Sequence, residues 1–107
     1  IDQVLLNILI NANHALRGVE KPKITVKTYW DDSFVYVDIS NNGPEIPEEI
    51  RGHIFEPFFT TKGGEEGTGL GLAIVRQIMN RHGGEVLLKS DENLTTFTLK
   101  FNKVLRG

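Results

Sequence analysis

Apolar and polar residues alternate along this chain in two rhythms, one of period 3.6 and one of period 2. Over residues 2–17, stepping about 100° per residue from Asn7, Leu5, Ile8, Leu9, Ala12 and Leu16 gather in one arc and predict a helix with a core-facing stripe. Asn7, Asn11 and His14 gather on the opposite side, flanked by Val4, Leu6, Ile10 and Ala15. A polar stripe walled by apolar residues is not an ordinary solvent face. Gly18 supplies a stop. Residues 23–30 alternate, with Ile24, Val26, Thr28 and Trp30 on one face. Residues 34–40 alternate again, with Val35, Val37 and Ile39 on one face. Asp31-Asp32-Ser33 between them completes a predicted β-hairpin. By parity Asn41 continues the inward face, where a buried amide needs a partner.

Residues 41–69 are mostly irregular. Gly43, Pro44 and Pro47 mark turns, and Pro47-Glu48-Glu49-Ile50 suits the start of a short helix. Residues 63–67, Gly-Gly-Glu-Glu-Gly, read as a mobile loop. Residues 70–82 predict a second amphipathic helix, with Leu70, Leu72, Ile74, Val75, Ile78 and Met79 on its apolar side, ended by Gly83-Gly84. Residues 85–90 and 94–101 predict two further strands, the last carrying Thr95, Phe97, Leu99 and Phe101 on one face. The order α, β, β, irregular, α, β, β predicts an α+β, two-layer α/β sandwich. Its sheet should be mixed but mostly antiparallel, with helices covering one face.

The 107 residues fit one domain. Charged residues make up 24%, with 12 basic against 14 acidic, so the chain lacks the electrostatic footprint of a nucleic-acid binder. The absence of cysteine excludes disulfides, thiolate metal sites and a cysteine nucleophile. The most apolar stretch, residues 4–16, is interrupted by Asn7, Asn11, Asn13 and His14 and falls short of the roughly 20 apolar residues a membrane span needs. The chain opens inside a helical pattern without Met, as an excised piece of a larger protein would.

Gly67-Thr68-Gly69-Leu70-Gly71-Leu72 runs a glycine-rich loop directly into a helix. A helix start exposes unpaired N–H groups and a partial positive charge, which attract phosphate. A flexible loop entering an ordinary helix would read the same way. No Gly-Lys-Ser/Thr follows and no strand immediately precedes, so it is neither a Walker A loop nor a dinucleotide fingerprint. Asn7 and Asn11, at i and i+4, share a face. Their oxygens suit a hard cation that already holds phosphates and waters, or their amides bond neighbouring backbone. His14, one turn on, is a phosphate donor or a packing residue. Asn41 either reads a ring nitrogen and its neighbour or closes an Asx turn with Asn42-Gly43-Pro44. Thr95 is a pocket wall or simply a strand residue. Phe55, Phe58 and Phe59 around Glu56-Pro57 form a small cluster or a latch, and Lys62 follows on the loop.

In combination these segments resemble the catalytic, ATP-binding domain of bacterial sensor histidine kinases, within the gyrase, Hsp90, histidine kinase and MutL superfamily. The resemblance rests on Asn7-Ile8-Leu9-Ile10-Asn11-Ala12 (the N box), Asn41-Asn42-Gly43-Pro44-Glu45-Ile46 (the G1 box), Phe55-Glu56-Pro57-Phe58-Phe59-Thr60-Thr61-Lys62 (the F box) and Gly67-Thr68-Gly69-Leu70-Gly71-Leu72 (the G2 box). It spans nearly the whole chain. It implies a Bergerat-type ATP-binding fold over residues 1–107, truncated before the N box, with the dimerisation domain and its phosphoacceptor histidine outside the chain. His14, His53 and His82 lack the His-Glu-basic context of a phosphoacceptor.

The resemblance further implies ATP and Mg²⁺ as cofactors. Asn11 is then the principal metal ligand, Asn7 assists metal and phosphates, and His14 stands where many relatives have a phosphate-binding Lys. Asn41 stands where the family usually has an Asp that accepts from the adenine amino group. Gly43 lets the base approach, Ile46 packs on it, and Thr95 is a second polar wall. Thr60, Thr61, Lys62 and the loop to Gly67 look like the ATP lid. Thr68, Gly69, Leu70, Gly71 and Leu72 carry the phosphate-binding helix start. The catalytic set would be Asn7, Asn11 and Lys62. Partners implied are ATP and ADP, the protein's own phosphoacceptor-His domain and a response regulator receiver domain, in the cytoplasm, with no nucleic acid and no direct membrane contact. Three positions depart from the family pattern. Asn41 replaces Asp, Glu45 replaces the second G1 glycine, and Asn93-Leu94 stands where Gly-Gly usually precedes the last strand. The alternatives are an ATPase-type switch module and a non-catalytic nucleotide-binding docking module. ATP-hydrolysing members carry Glu at the position of Asn7 as a base for water, and Asn cannot take that proton.

Overall fold

The computed structural model describes residues 2–56 and 71–103. Its elements run α1 (Asp2–Ala15), β1 (Ile24–Trp30), β2 (Phe34–Asn41), α2 (Glu48–Arg51), α3 (Gly71–Arg81), β3 (Glu85–Ser90) and β4 (Thr95–Asn102). The sheet order is β1-β2-β4-β3. Every pair in it is antiparallel, so the parallel component expected of a mixed sheet is not found among the described residues. The two hairpins form where the period-2 runs predict them. Each is closed by an aspartate: Asp31 Oδ1 accepts from Ser33 N and Phe34 N, and Asp91 Oδ1 accepts from Asn93 N and Leu94 N. These bonds favour the ionised carboxylates and hold the pKa of both below the ordinary aspartate value.

The helices cover one face of the sheet. Val4 and Ile8 of α1, Ile39 of β2, Val75 and Met79 of α3, and Phe97 and Leu99 of β4 form the buried core with Ile54. Alternation explains the strand members, because odd-numbered positions of β2 and β4 point to the helices. The buried arc of α1 is rotated from the expected stripe. Val4 is fully buried and Leu9 is 38% exposed. The cause is α3, which lies on the Asn7 side of α1, as the bond from Asn7 to Gly71 shows. Its packing draws Val4 inward and turns Leu9 outward. Helix α3 ends in a Schellman motif: Gly83 adopts φ 75°, Gly84 N donates to Met79 O and Gly83 N donates to Asn80 O. A Cβ on Gly84 would lie 2.5 Å from Lys100 O, so the turn seats the chain tightly against β4.

Strand β1 forms the sheet edge. Its helix-side residues Ile24, Val26 and Trp30 stand exposed, because α1 packs against β2 and α3 against β3 at the far edge. On the opposite face Tyr29 stacks on Tyr36 at 4.8 Å. Asp38 Oδ1 there accepts from Tyr29 and Thr98 hydroxyls.

Candidate functional site

Helix α1 is the spine of the site. Near its middle, Asn7 Nδ2 donates to the carbonyl of Gly71, the first residue of α3, at 3.2 Å. One carboxamide of the N box is thereby tied to the helix start of the G2 box. This bond uses the amide nitrogen and leaves Asn7 Oδ1 available. Asn11, one turn later, is half-buried and makes no hydrogen bond among the described residues. His14 is half-buried in the last turn.

At its other end α1 meets the turn that follows β2. A Cβ on Gly43 would lie 2.7 Å from the carbonyl oxygen of Ala15 and 3.0 Å from Asn41 Oδ1. Only glycine lets the G1 backbone come this close to the helix. Asn41 is 2% exposed, as parity predicts, and its Oδ1 accepts from Gly43 N at 2.9 Å. The Asx-turn reading of this residue is therefore present in the structure, and its Nδ2 keeps both hydrogens without an acceptor among the described residues.

Asn41 is paired in register with Thr95, and Thr95 with Ser90. All three are buried, so a polar row crosses the end of β2, β4 and β3. Ser90 Oγ lies 2.7 Å from Thr95 Oγ1 and accepts from Ile46 N at 2.9 Å. Ser90 escaped the sequence reading. It was legible by the parity that marked Asn41, since Val86, Leu88 and Ser90 alternate inward along β3. The position where Glu45 replaces glycine is held by Arg51, which pairs with Glu45 at 3.0 Å and donates from Nε to Ile46 O. That clamp spans an irregular loop and carries no sequence period. Ile46 packs against the core, as does Leu72 at the start of α3.

Phe55 meets Phe97 edge-on at 6.1 Å and receives the Arg76 guanidinium over its ring at 5.9 Å. This seats the start of the F box on the core. Phe58, Phe59, Thr60, Thr61, Lys62, Gly67, Thr68, Gly69 and Leu70 lie outside the described residues.

No group of three or more His, Cys, Asp or Glu capable of holding a metal exists among the described residues. What the site offers instead is amide oxygen from Asn7 and Asn11. Neutral oxygens of this kind fit a Mg²⁺ whose charge is balanced by phosphates, and fit a free Mg²⁺ poorly.

The chain is similar to known proteins over nearly its whole length. Residues 1–105 match the family described as histidine kinase-, DNA gyrase B- and HSP90-like ATPase. The signal transduction histidine-protein kinase AtoS of Escherichia coli is 44% identical over 92% of this chain and 16% of its own length. The sensory histidine kinase/phosphatase NtrB of Rhodobacter capsulatus is 35% identical over 92% of this chain and 30% of its own. The chain thus spans less than a third of these relatives. Among solved structures, the nucleotide-free catalytic domain of histidine kinase ThkA superposes with a TM-score of 0.80 at 42% identity. It covers 94% of this chain and 65% of that one. The mycobacterial sensor histidine kinase MprB superposes at 0.80 with 29% identity, covering 94% and 70%. This chain belongs to the histidine kinase-, DNA gyrase B- and HSP90-like ATPase family, as an ATP-binding domain of the sensor histidine kinase type.

Proposed function

We propose that the chain binds Mg·ATP across α1 and the start of α3 and delivers its γ-phosphate to a histidine on a separate dimerisation domain, for onward transfer to a response regulator receiver domain. The supporting observation is that α1 joins two places at once: Asn7 bonds to Gly71, and one end of the helix abuts the buried Asn41 turn. In this reading the base lies at the Asn41–Thr95–Ser90 row, with Gly43 and Ile46 beside it. The phosphates lie along Asn7, Asn11 and His14 and beside the start of α3 at Gly71 and Leu72; Thr60, Thr61, Lys62, Gly67, Thr68, Gly69 and Leu70 are the further residues assigned to them.

Asn7 and Asn11 would hold the magnesium, which supplies neutralisation of phosphate charge. The chain's own part is positioning: the helix N–H groups and Lys62 orient the terminal phosphate for in-line attack. A histidine ring nitrogen forms the new bond to phosphorus. The bond to the bridging oxygen breaks, and ADP leaves with that electron pair. Asn7 has no group that can accept a proton from water, which favours transfer to histidine over hydrolysis. In this reading the domain lies in the cytoplasm. Among the described residues no helix is long and apolar enough to cross a membrane.

The test mixes the chain with a matching phosphoacceptor-His domain and γ-labelled ATP. Label on the histidine supports the reading. ATP binding without label would favour a non-catalytic docking module, and steady phosphate release by the chain alone would favour an ATPase switch.

A further inference from the structure

Residues 44–47 run Pro-Glu-Ile-Pro, and the two prolines bring no N–H. This segment lies between β2 and α2, outside any ladder, so the polar backbone groups of Ile46 need partners of another kind. Both find side chains. Ile46 N donates to Ser90 Oγ at 2.9 Å, and Ile46 O accepts from Arg51 Nε at 2.9 Å. Ser90 ends β3 and Arg51 ends α2, so two separate elements grip one residue.

The Arg51 grip is itself oriented. Its Nη2 donates to Glu45 Oε2 at 3.0 Å. A guanidinium is planar and rigid, so fixing Nη2 also fixes the direction of the Nε hydrogen. Glu45 stands where the resemblance implies a glycine, and its side chain supplies a partner that glycine lacks. The pair is partly solvated, with 26% of the Arg51 side chain and 47% of the Glu45 side chain exposed. An ion pair of that kind contributes little to global stability. Its effect is local: it sets where Ile46 stands.

We propose that Arg51 is a positioning residue for nucleotide binding. Held by Glu45, and with Ser90 on the other polar group of Ile46, it keeps the Ile46 side chain where the base packs on it. This rests on the nucleotide reading above and deepens it. A wall fixed before the ligand arrives needs no ordering when it binds, so loosening that wall lowers affinity.

The test is calorimetric titration of Mg·ATP into the wild type, Arg51→Met and Ser90→Ala, at a temperature where each is folded, with the Ile46 methyl signals followed by NMR. Arg51→Met keeps the aliphatic stem and loses both donors, and Ser90→Ala releases the other backbone group. In the wild type the Ile46 methyls should shift on ATP binding, because an aromatic base alters the local field at groups packed on it. In both variants that shift should shrink and the dissociation constant should rise about fivefold or more. Arg51→Met should still melt within about 2 °C of the wild type. Ile46 methyls unmoved by bound ATP, or an Arg51→Met affinity within about twofold of the wild type, would overturn the proposal and leave the nucleotide reading standing. An affinity loss in Arg51→Met that comes only with a large fall in melting temperature would mark a merely structural role and overturn it too. If Arg51→Met does not fold, Glu45→Ala, which frees the guanidinium, takes its place. No ATP binding by the wild type would overturn the nucleotide reading itself, and this proposal with it.

Discussion

The side-chain amide of Asn7 donates to the carbonyl of Gly71 at 3.2 Å, joining two helices that stand 64 residues apart in the chain. The bond has a measurable consequence because Asn11, one turn away on the same face, makes none among the described residues. Replacing either residue by alanine raises helix propensity by the same amount. Asn7→Ala should therefore be less stable than Asn11→Ala by about 1 kcal/mol, read from urea unfolding midpoints. Equal stabilities would mean that the tie contributes nothing.

Gly43 and Gly52 form a controlled pair. A Cβ at Gly43 collides with the Ala15 carbonyl, whereas one at Gly52 meets nothing within 4 Å. Gly52 also has φ −72°, which alanine adopts readily. Gly43→Ala should cost about 1–3 kcal/mol by forcing α1 and the turn apart. Gly52→Ala should be stabilising by about 0.4–1 kcal/mol through the unfolded chain. Thermal unfolding of both checks the contrast.

Much of this was legible beforehand, and the reasons differ by residue. The strands follow from period 2, and parity alone placed Asn41 in the interior. The same parity marks Ser90, which was overlooked because its significance comes from Thr95 and Ile46, residues distant in sequence. The rotation of α1 that buries Val4 and exposes Leu9 depends on where α3 settles, a tertiary fact that no single helix encodes. The Arg51 clamp on Glu45 arises within irregular chain, where no period operates. A single antiparallel sheet emerges because each described pairing is either a hairpin or joins β2 to β4 across the core.

Ser90→Ala should remove the acceptor of Ile46 N and the partner of Thr95 together. A part-buried N–H without an acceptor costs about 1–3 kcal/mol. Denaturant unfolding should show that loss, and hydrogen exchange should show faster exchange at Ile46. Unchanged exchange at Ile46 would remove Ser90 from the support of the G1 turn.

Acid should weaken the two hairpin turns in a defined sense. Asp31 and Asp91 have folded pKa values below their unfolded ones, owing first to backbone N–H groups donating to each carboxylate. A lowered folded pKa means that the stabilisation is complete above the unfolded pKa and is lost as pH falls through the folded one. Stability should decline as pH is taken below about 4, and Asp31→Ala with Asp91→Ala should flatten that decline. Carboxyl titration by NMR should find both groups ionised to lower pH than an unfolded aspartate.

In the proposed function the carboxamides of α1 meet a magnesium-bearing nucleotide, and calorimetric titration of ATP against wild type and Asn11→Ala, with Mg²⁺ and with chelator, measures that contact. The expected outcome is a loss of about tenfold or more in Mg²⁺ for Asn11→Ala, against less than about twofold without metal. Equal losses in the two conditions, or no ATP binding by the wild type, would rule that contact out.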